Sequence, residues 1–443
     1  MQERTTSQPP WPEPGRAWYA VGVLFIAVIF SFVDRIILSL LVEPIKADLG
    51  LTDTDFAWLL GVAFAVFYAL FGLPLGRLAD RYSRRAIVAG GILVWSVMTT
   101  ACGLAQNFWE LFVARVGVAA GEAALAPAAF SMIADLFPRD RLGRALGVYQ
   151  SGAFVGAGVA LLVGGVVIGL ISASSVQVLP FIGAVEPWQV VFFVVGLPGF
   201  VVVLLMLTVP EPARRAPPAG VAAAERLGEV LRYAASRWRV YGLHFLGFAL
   251  LFVPITTTLT WAPVYFGRVL GFAPRETGLV LGLIVLLWSP AGVYAGGWLA
   301  DTFLRRGHLD AMHRVGLLAA ACMLPLVLFA TTGEDRLVAI ALFCPLTFCA
   351  SLALACAPAA LQVVTPGPLR AQVSAAWMLF LNVITAIAGP TAVGMIADRF
   401  FNGPGAIGQS LALVNGAAVP LAALVLWLGR RPFAAAVPRT AAA

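Results

Sequence analysis

Charge is scarce in this chain of 443 residues: 12% are Asp, Glu, Lys or Arg, against 60% hydrophobic. That leaves far more apolar surface than a water-soluble core of this length hides, which excludes a soluble globular domain. Lysine is nearly absent, 28 of the 29 basic residues being arginine. The five cysteines (Cys102, Cys322, Cys344, Cys349 and Cys356) all fall inside apolar blocks. None shows metal-ligand spacing such as CxxC, so they read as small buried apolar residues rather than a metal centre. No phosphate-binding loop of the GxxxxGK[ST] type occurs, which argues against a built-in ATPase, and no HExxH or GxSxG with suitable companions suggests an enzyme. No cofactor or metal is expected. A membrane sensor would call for a soluble signalling domain, and the longest stretch outside the apolar blocks, 210–239, is too short for one.

What is present is a series of apolar blocks, each about 20 or more residues long, the length a helix needs to cross roughly 30 Å of hydrocarbon. The alternating strands of a closed barrel are missing. Twelve spans are expected, at 17–41, 55–75, 86–105, 109–136, 143–170 and 188–209, then 240–266, 276–299, 312–331, 336–361, 371–397 and 408–429. The segment Met1 to Arg16 is polar and Pro-rich. The block after it is too long for a signal-peptide core, so it reads as a retained first span.

The formal charge of +7 raises nucleic acid as a partner, but the placement of the charges points to a membrane instead. With the N-terminus in the cytoplasm, the inner loops and tails hold 22 arginines, while the outer loops hold only Lys46, Arg268, Arg275, Arg336 and Arg399. That asymmetry predicts a multi-pass protein of the cell (inner) membrane with both termini cytoplasmic. Trp18, Trp58, Trp109, Trp188, Trp298 and Trp427 sit near block ends, where an indole reaches the headgroups. The stretch 210–239 holds four prolines and six arginines and reads as a basic cytoplasmic linker. Within it Leu227, Val230, Leu231 and Ala234 recur at helical spacing, predicting a short helix on the membrane surface.

Two similar stretches mark an internal repeat. "GRLADRYSRR" (76–85) returns as "GWLADTFLRR" (297–306), with Gly, Leu, Ala, Asp, Arg and Arg at matching places. The predicted organisation is a six-helix half at 1–209, the linker at 210–239 and a second six-helix half at 240–443. The fold class is an all-α membrane protein of twelve transmembrane helices in two parallel six-helix repeats.

"GRLADRYSRR" resembles the signature loop of the major facilitator superfamily, close to G-x-L-A-D-R-x-G-R-R, with Ser83 where glycine is usual. More narrowly, "FVDRIILSLLVEPIKADLGLTDTD" (32–55) and "RVGVAAGEAALAPAAFSMIADLFPRDRLGRALGVY" (115–149) resemble the spinster-like branch. Organic-anion symporters share the Asp-Arg of the first span. "GVYQSGAFVGAGVALLVGG" (147–165) has the glycine spacing of an antiporter motif but Ala160 and Leu161 in place of its Gly-Pro, which argues against a proton-antiporting drug exporter.

The resemblance implies a secondary active transporter working by alternating access. It is expected to be proton-coupled, monomeric and surrounded by membrane lipids, with no nucleic-acid partner and with an amphipathic organic anion or lysolipid-like substrate. The alternative is a proton-linked permease for another small organic acid or drug. The resemblance also assigns Gly76, Asp80, Arg84, Asp135 and Asp301 to a cytoplasmic gate, with Asp80, Arg84 and Asp135 latching helices when the inner side is closed and Asp80 facing the N-terminal end of span eleven.

Charged side chains at membrane depth cost about 2.5 to 3.5 kcal/mol on insertion scales, so each is a functional candidate. Four stand out: Asp34 and Arg35 in the first span, Arg115 and Glu122 in the fourth. Asp34 and Arg115 each lie roughly 9 Å below the outer surface, and since the resemblance implies that spans one and four both line the central cavity, a pair between them is sterically reasonable, with Glu122 about 10 Å deeper near Arg115's face. Glu122 is expected to be the principal proton acceptor, with Asp34 coupled to it through Arg115 and Arg35. A static salt-bridge set holding spans one and four together is the competing reading. Thr256, Thr257, Thr258, Thr260 and Trp261 in span seven, with Trp377 and Asn382 in span eleven, are candidate substrate contacts, although such Thr side chains usually bond their own backbone. His244 reads as a packed residue with a proton relay as the alternative, and Pro127 and Pro254 as kinks.

Overall fold

The computed structural model describes residues 11–171, 177–179, 183–214, 227–366 and 369–437. Among them are twelve helices long and apolar enough to cross a bilayer: Pro14–Leu40, Asp53–Ala79, Arg84–Cys102, Phe108–Leu136, Arg144–Leu170, Pro187–Thr208, Trp238–Arg268, Pro274–Arg305, Ala311–Phe329, Arg336–Val364, Gln372–Phe400 and Ala406–Ala436. They are spans one to twelve below, and each overlies a predicted block. Their ends carry ordinary stop and start chemistry. Thr52 and Asp55 form a capping box, while Ser83, Asn107 and Asp335 accept backbone N–H bonds as N-caps. Gly50 closes a helix at φ 64°, a conformation in which a side chain would be strained.

Packing repeats along the chain as the motif does. Span two packs on four and eight on ten, span three on six and nine on twelve, and spans one and seven take equivalent places against six and twelve. Spans five and eight, two and eleven, and one and seven join the two sets. With an even number of crossings, the starts of spans one and seven and the ends of spans six and twelve lie on one side, called the terminal face; the other is the distal face.

The two sets meet through their distal halves. A Cβ on Gly278 of span eight would lie 2.3 Å from the Leu161 carbonyl oxygen of span five, and one on Gly165 would lie 2.8 Å from the Gly278 Cα. Only glycines allow this approach of backbones. Spans two and eleven each contain a π-helical turn, Trp58–Val62 and Ile387–Thr391, and these face one another. Hydrogen bonds join the first six and last six spans at the distal face.

Several features departed from expectation. A short helix, Val42–Leu49, follows span one, and strands Gln177–Leu179 and Gly183–Val185 pair as a hairpin between spans five and six. Spans four and ten are interrupted, at 123–124 and 352–355, so each is two helices in series. The predicted linker helix forms at Leu227–Ser236 and packs on spans seven and eleven. Residues 215–226 and the side chains of Leu227, Val230 and Leu231, on which its apolar stripe depends, lie outside those described.

Candidate functional site

The site begins with a turn of span one. Ser31, Asp34 and Arg35 are three and four residues apart, so they cluster on the side facing spans two, three and four. Span four brings Glu122 to them because Gly121 touches Gly91 of span three. A Cβ on Gly121 would sit 2.7 Å from the Gly91 carbonyl oxygen. This close approach holds Glu122 at the end of the first helix of span four, beside the break.

The predicted pairs are rearranged. Arg35 donates from Nε to Glu122 Oε2 at 2.6 Å, and the Ser31 hydroxyl donates to the same oxygen at 2.6 Å. Arg115 does not pair with the Asp34 carboxylate; its Nη1 donates to the Asp34 main-chain carbonyl at 3.1 Å. The Asp34 carboxylate accepts from Thr99 of span three at 3.1 Å, while its Oδ1 has no partner. Asp34 and Arg115 are each 2% exposed and Glu122 1%. Depth matched as expected; the direction of the side chains did not.

Arg35 lies under an aromatic cover, its guanidinium 4.9 Å from the Phe32 ring centre, 4.5 Å from Phe64 and 4.9 Å from Tyr68. Arg115 lies 5.6 Å from Phe64. Cation–π attraction holds both without neutralising them. They face a central cavity of about 810 Å³, mouth included, whose opposite wall is built by Thr256, Leu259 and Thr260 of span seven and by Asn382, Thr385 and Pro390 of span eleven. One wall is cationic and aromatic, the other neutral and hydrogen-bonding.

Of the candidate contacts in the last six spans, Thr256, Thr260 and Asn382 reach this cavity. Thr257 is buried and donates to Asn415 at 2.9 Å. Trp261 is buried and donates to the Pro390 carbonyl at 3.0 Å, and Trp377 packs on His244, Phe245 and Phe252. His244 is buried against Phe248, Trp377, Phe433 and a second histidine, His313, with Nε2 3.1 Å from the Ala357 carbonyl. It is a packed residue away from the cavity.

At the terminal face Arg84 is 1% exposed and pairs closely with Asp135. It also takes a partner that sequence reasoning missed. Its Nε donates to Glu211 at 3.0 Å, and Glu211 further accepts from the Ser83 hydroxyl at 2.7 Å and the Arg85 N–H at 2.8 Å. These contacts join spans three and four to the start of the linker just after span six, and they form while the distal face is closed. Gly76 makes an ordinary approach to Pro127. Asp301 is exposed, and the role expected of Asp80 falls on a side chain outside those described.

The distal face carries an ionic cluster absent from the expected site. Arg268, closing span seven, donates to Glu43 at 2.6 Å and to Asp53 at 2.8 Å, and Lys46 pairs closely with Asp53. Asp398 of span eleven accepts from the Thr54 N–H at 2.5 Å. A smaller hollow of about 390 Å³ lies beneath, lined by Ser39, Glu43, Pro263 and Phe272, and it shares Ser39 with the central cavity.

Twelve spans, an internal repeat and a central cavity between two helical sets define a multi-pass membrane transporter. Residues 23–390 match the profile of the Major Facilitator Superfamily, and the chain belongs to that family. It is similar to an "MFS-type efflux pump" of Mycolicibacterium smegmatis, 32% identical over 424 residues, covering 94% of this chain and 93% of the relative. It also resembles protein spinster homolog 1 of Homo sapiens, 28% identical over 415 residues (87% and 74%), and a "probable L-galactonate transporter" of Escherichia coli, 27% identical over 350 residues (73% and 72%). The crystal structure of a bacterial homologue of the human lysosomal transporter spinster, inward-facing and unoccupied, shares the fold with a TM-score of 0.83 at 24% identity, covering 96% of this chain and 99% of that one.

Proposed function

We propose that this transporter is proton-coupled and carries an amphipathic organic anion or lysolipid-like substrate. In this reading it lies in the cell membrane with its terminal face in the cytoplasm. The observation that carries the reading is the central cavity itself, where Arg35 and Arg115 meet an anion beside aromatic rings while Asp34 and Glu122 lie buried next to them. The two halves, 1–209 and 240–443, rock about this cavity. The form described here is closed at the distal face, and with the terminal face in the cytoplasm it is the inward-open member of the cycle.

In this reading the chief proton-carrying role falls to Asp34 rather than to Glu122. Glu122 holds Arg35 directly. Among the described residues the Asp34 carboxylate has no cationic hydrogen-bond partner, accepting from the Thr99 hydroxyl alone, so it is not locked to either arginine. Deprotonation of Asp34 would draw Arg115 or Arg35 toward it, coupling proton loss to the state of the anion site.

A second reading, a proton-linked permease for a small organic acid or drug, is favoured by the likeness to a probable L-galactonate transporter and an efflux pump and by the hydrogen-bonding wall of Thr256, Thr260 and Asn382. Proteoliposomes screened with lysolipids, galactonate and other organic anions, with and without a pH gradient, decide between them. Gradient-dependent movement of single-chain amphiphiles supports the first reading, movement of small acids alone supports the second, and movement of neither class overturns both.

A further inference from the structure

Exposed arginines gather on the terminal face of the second half. Arg232 lies on the linker helix, Arg237 and Arg239 flank the start of span seven, and Arg370 lies just before span eleven. All four are exposed. The chain has no Asp or Glu between Glu229 and Glu276, nor between Asp335 and Asp398, so neither span seven nor span eleven supplies a neutralising carboxylate. Among the described residues none of the four forms an ion pair.

Bonds and ring contacts hold Arg237, Arg239 and Arg370 in place. Arg237 donates to the Tyr233 hydroxyl at 2.5 Å and stacks 4.5 Å over that ring, which in turn leans on Tyr241 at 5.8 Å. Tyr241 contacts the Thr365 hydroxyl at 3.2 Å, and Arg370 donates to the Thr365 carbonyl at 3.0 Å. The linker helix, span seven and span eleven are thus tied into one surface. Trp238, 57% exposed, lies between Arg237 and Arg239, with Arg239 5.8 Å from its ring. An exposed indole beside fixed cations at a span's end is the arrangement that seats in a headgroup layer.

We propose that this surface docks anionic phospholipid headgroups, holding the linker helix against the bilayer. Phosphate chemistry suits it because guanidinium groups meet phosphate oxygens bidentately, and four exposed cations attract an anionic surface. The transport readings above are not needed for it, since binding is measured without turnover.

The test uses the full chain in mixed phosphatidylglycerol and phosphatidylcholine vesicles, extracted gently, with retained lipids counted by native mass spectrometry. The wild type is expected to retain phosphatidylglycerol preferentially. Arg232→Gln, Arg237→Gln and Arg239→Gln should each lower that preference about fivefold, and their combination should remove it. Arg399→Gln, a distal arginine, is the control for net charge and should leave it intact. No preference in the wild type, an unchanged preference in the combined variant, or an equal loss in Arg399→Gln would overturn the assignment.

Discussion

The guanidinium of Arg115 reaches the main-chain carbonyl of Asp34, 3.1 Å away, and leaves the Asp34 carboxylate to Thr99. A carboxylate at this depth is thereby kept beside two arginines without being locked to either, whereas Glu122 is bound by Arg35.

The two acids should therefore fail differently. Asp34→Asn keeps the size and polarity of the side chain and removes only the titrating group, so substrate exchange should persist while uptake driven by a pH gradient falls to near background. Glu122→Gln leaves Arg35 without its counter-ion, a loss of about 3 to 5 kcal/mol for a buried pair, and should lower thermal stability in detergent as well as transport. Gradient-driven uptake surviving in Asp34→Asn, or two variants equally stable, would contradict this division of roles.

The distal cluster should govern access to the cavity from that side. Arg268 spans Glu43 and Asp53 on the first half from its place on the second. Hydrogen bonds to charged groups contribute about 1.5 to 3 kcal/mol, less where water reaches them. Arg268→Gln should therefore raise the labelling rate of a Ser39→Cys reporter by a distal thiol reagent roughly tenfold. Labelling as slow as in the parent reporter would show that closure rests on helix packing alone.

The spans could be read from sequence because their length and hydrophobicity are local properties, and the repeat because it is a string. Contacts depending on rotation about the helix axis could not. Counting residues gave Asp34 and Arg115 their common depth but not the direction of either, and one step of rotation gives Glu122 to Arg35 rather than to Asp34. The same holds for Thr257, which turns to Asn415, while Thr256 and Thr260, one helical turn apart, face the cavity. The distal cluster was hidden for another reason. Glu43, Asp53, Arg268 and Asp398 come from four separate segments, and as loop charges each looked like membrane punctuation. Glu211 carried a weak signal, an acid just after span six on the same face as the arginines of 76–85.

Backbone contact between spans five and eight yields a prediction about the cycle. A side chain at Gly278 would collide with the Leu161 carbonyl, whereas Gly297, on the same span, has nothing within 4 Å of its Cβ position. Gly278→Val should destabilise the distally closed form by about 1 to 3 kcal/mol, as overpacking does, and slow transport without preventing insertion. Gly297→Ala should be neutral in both respects. Parallel turnover and melting measurements on the pair check it, and equal behaviour of the two variants would remove the crossing from the mechanism.

Glu211 supplies a pH dependence outside the membrane spans. Burial pushes its carboxyl up, but hydrogen bonds from the Arg85 N–H, the Ser83 hydroxyl and Arg84 outweigh this and hold it below the usual carboxylate range. A group whose value is lowered by folding contributes stability above its unfolded value, about 4.3 for Glu, and loses it as pH falls through the folded one. The wild type should thus melt above Glu211→Gln by a constant margin from neutral pH down to about 5, corresponding to about 1 kcal/mol for bonds that water partly reaches. The margin should shrink as pH drops below about 4 and vanish once Glu211 is protonated in both states. A margin that instead widened in acid, or that never existed at neutral pH, would mean that Arg84 is held by Asp135 alone.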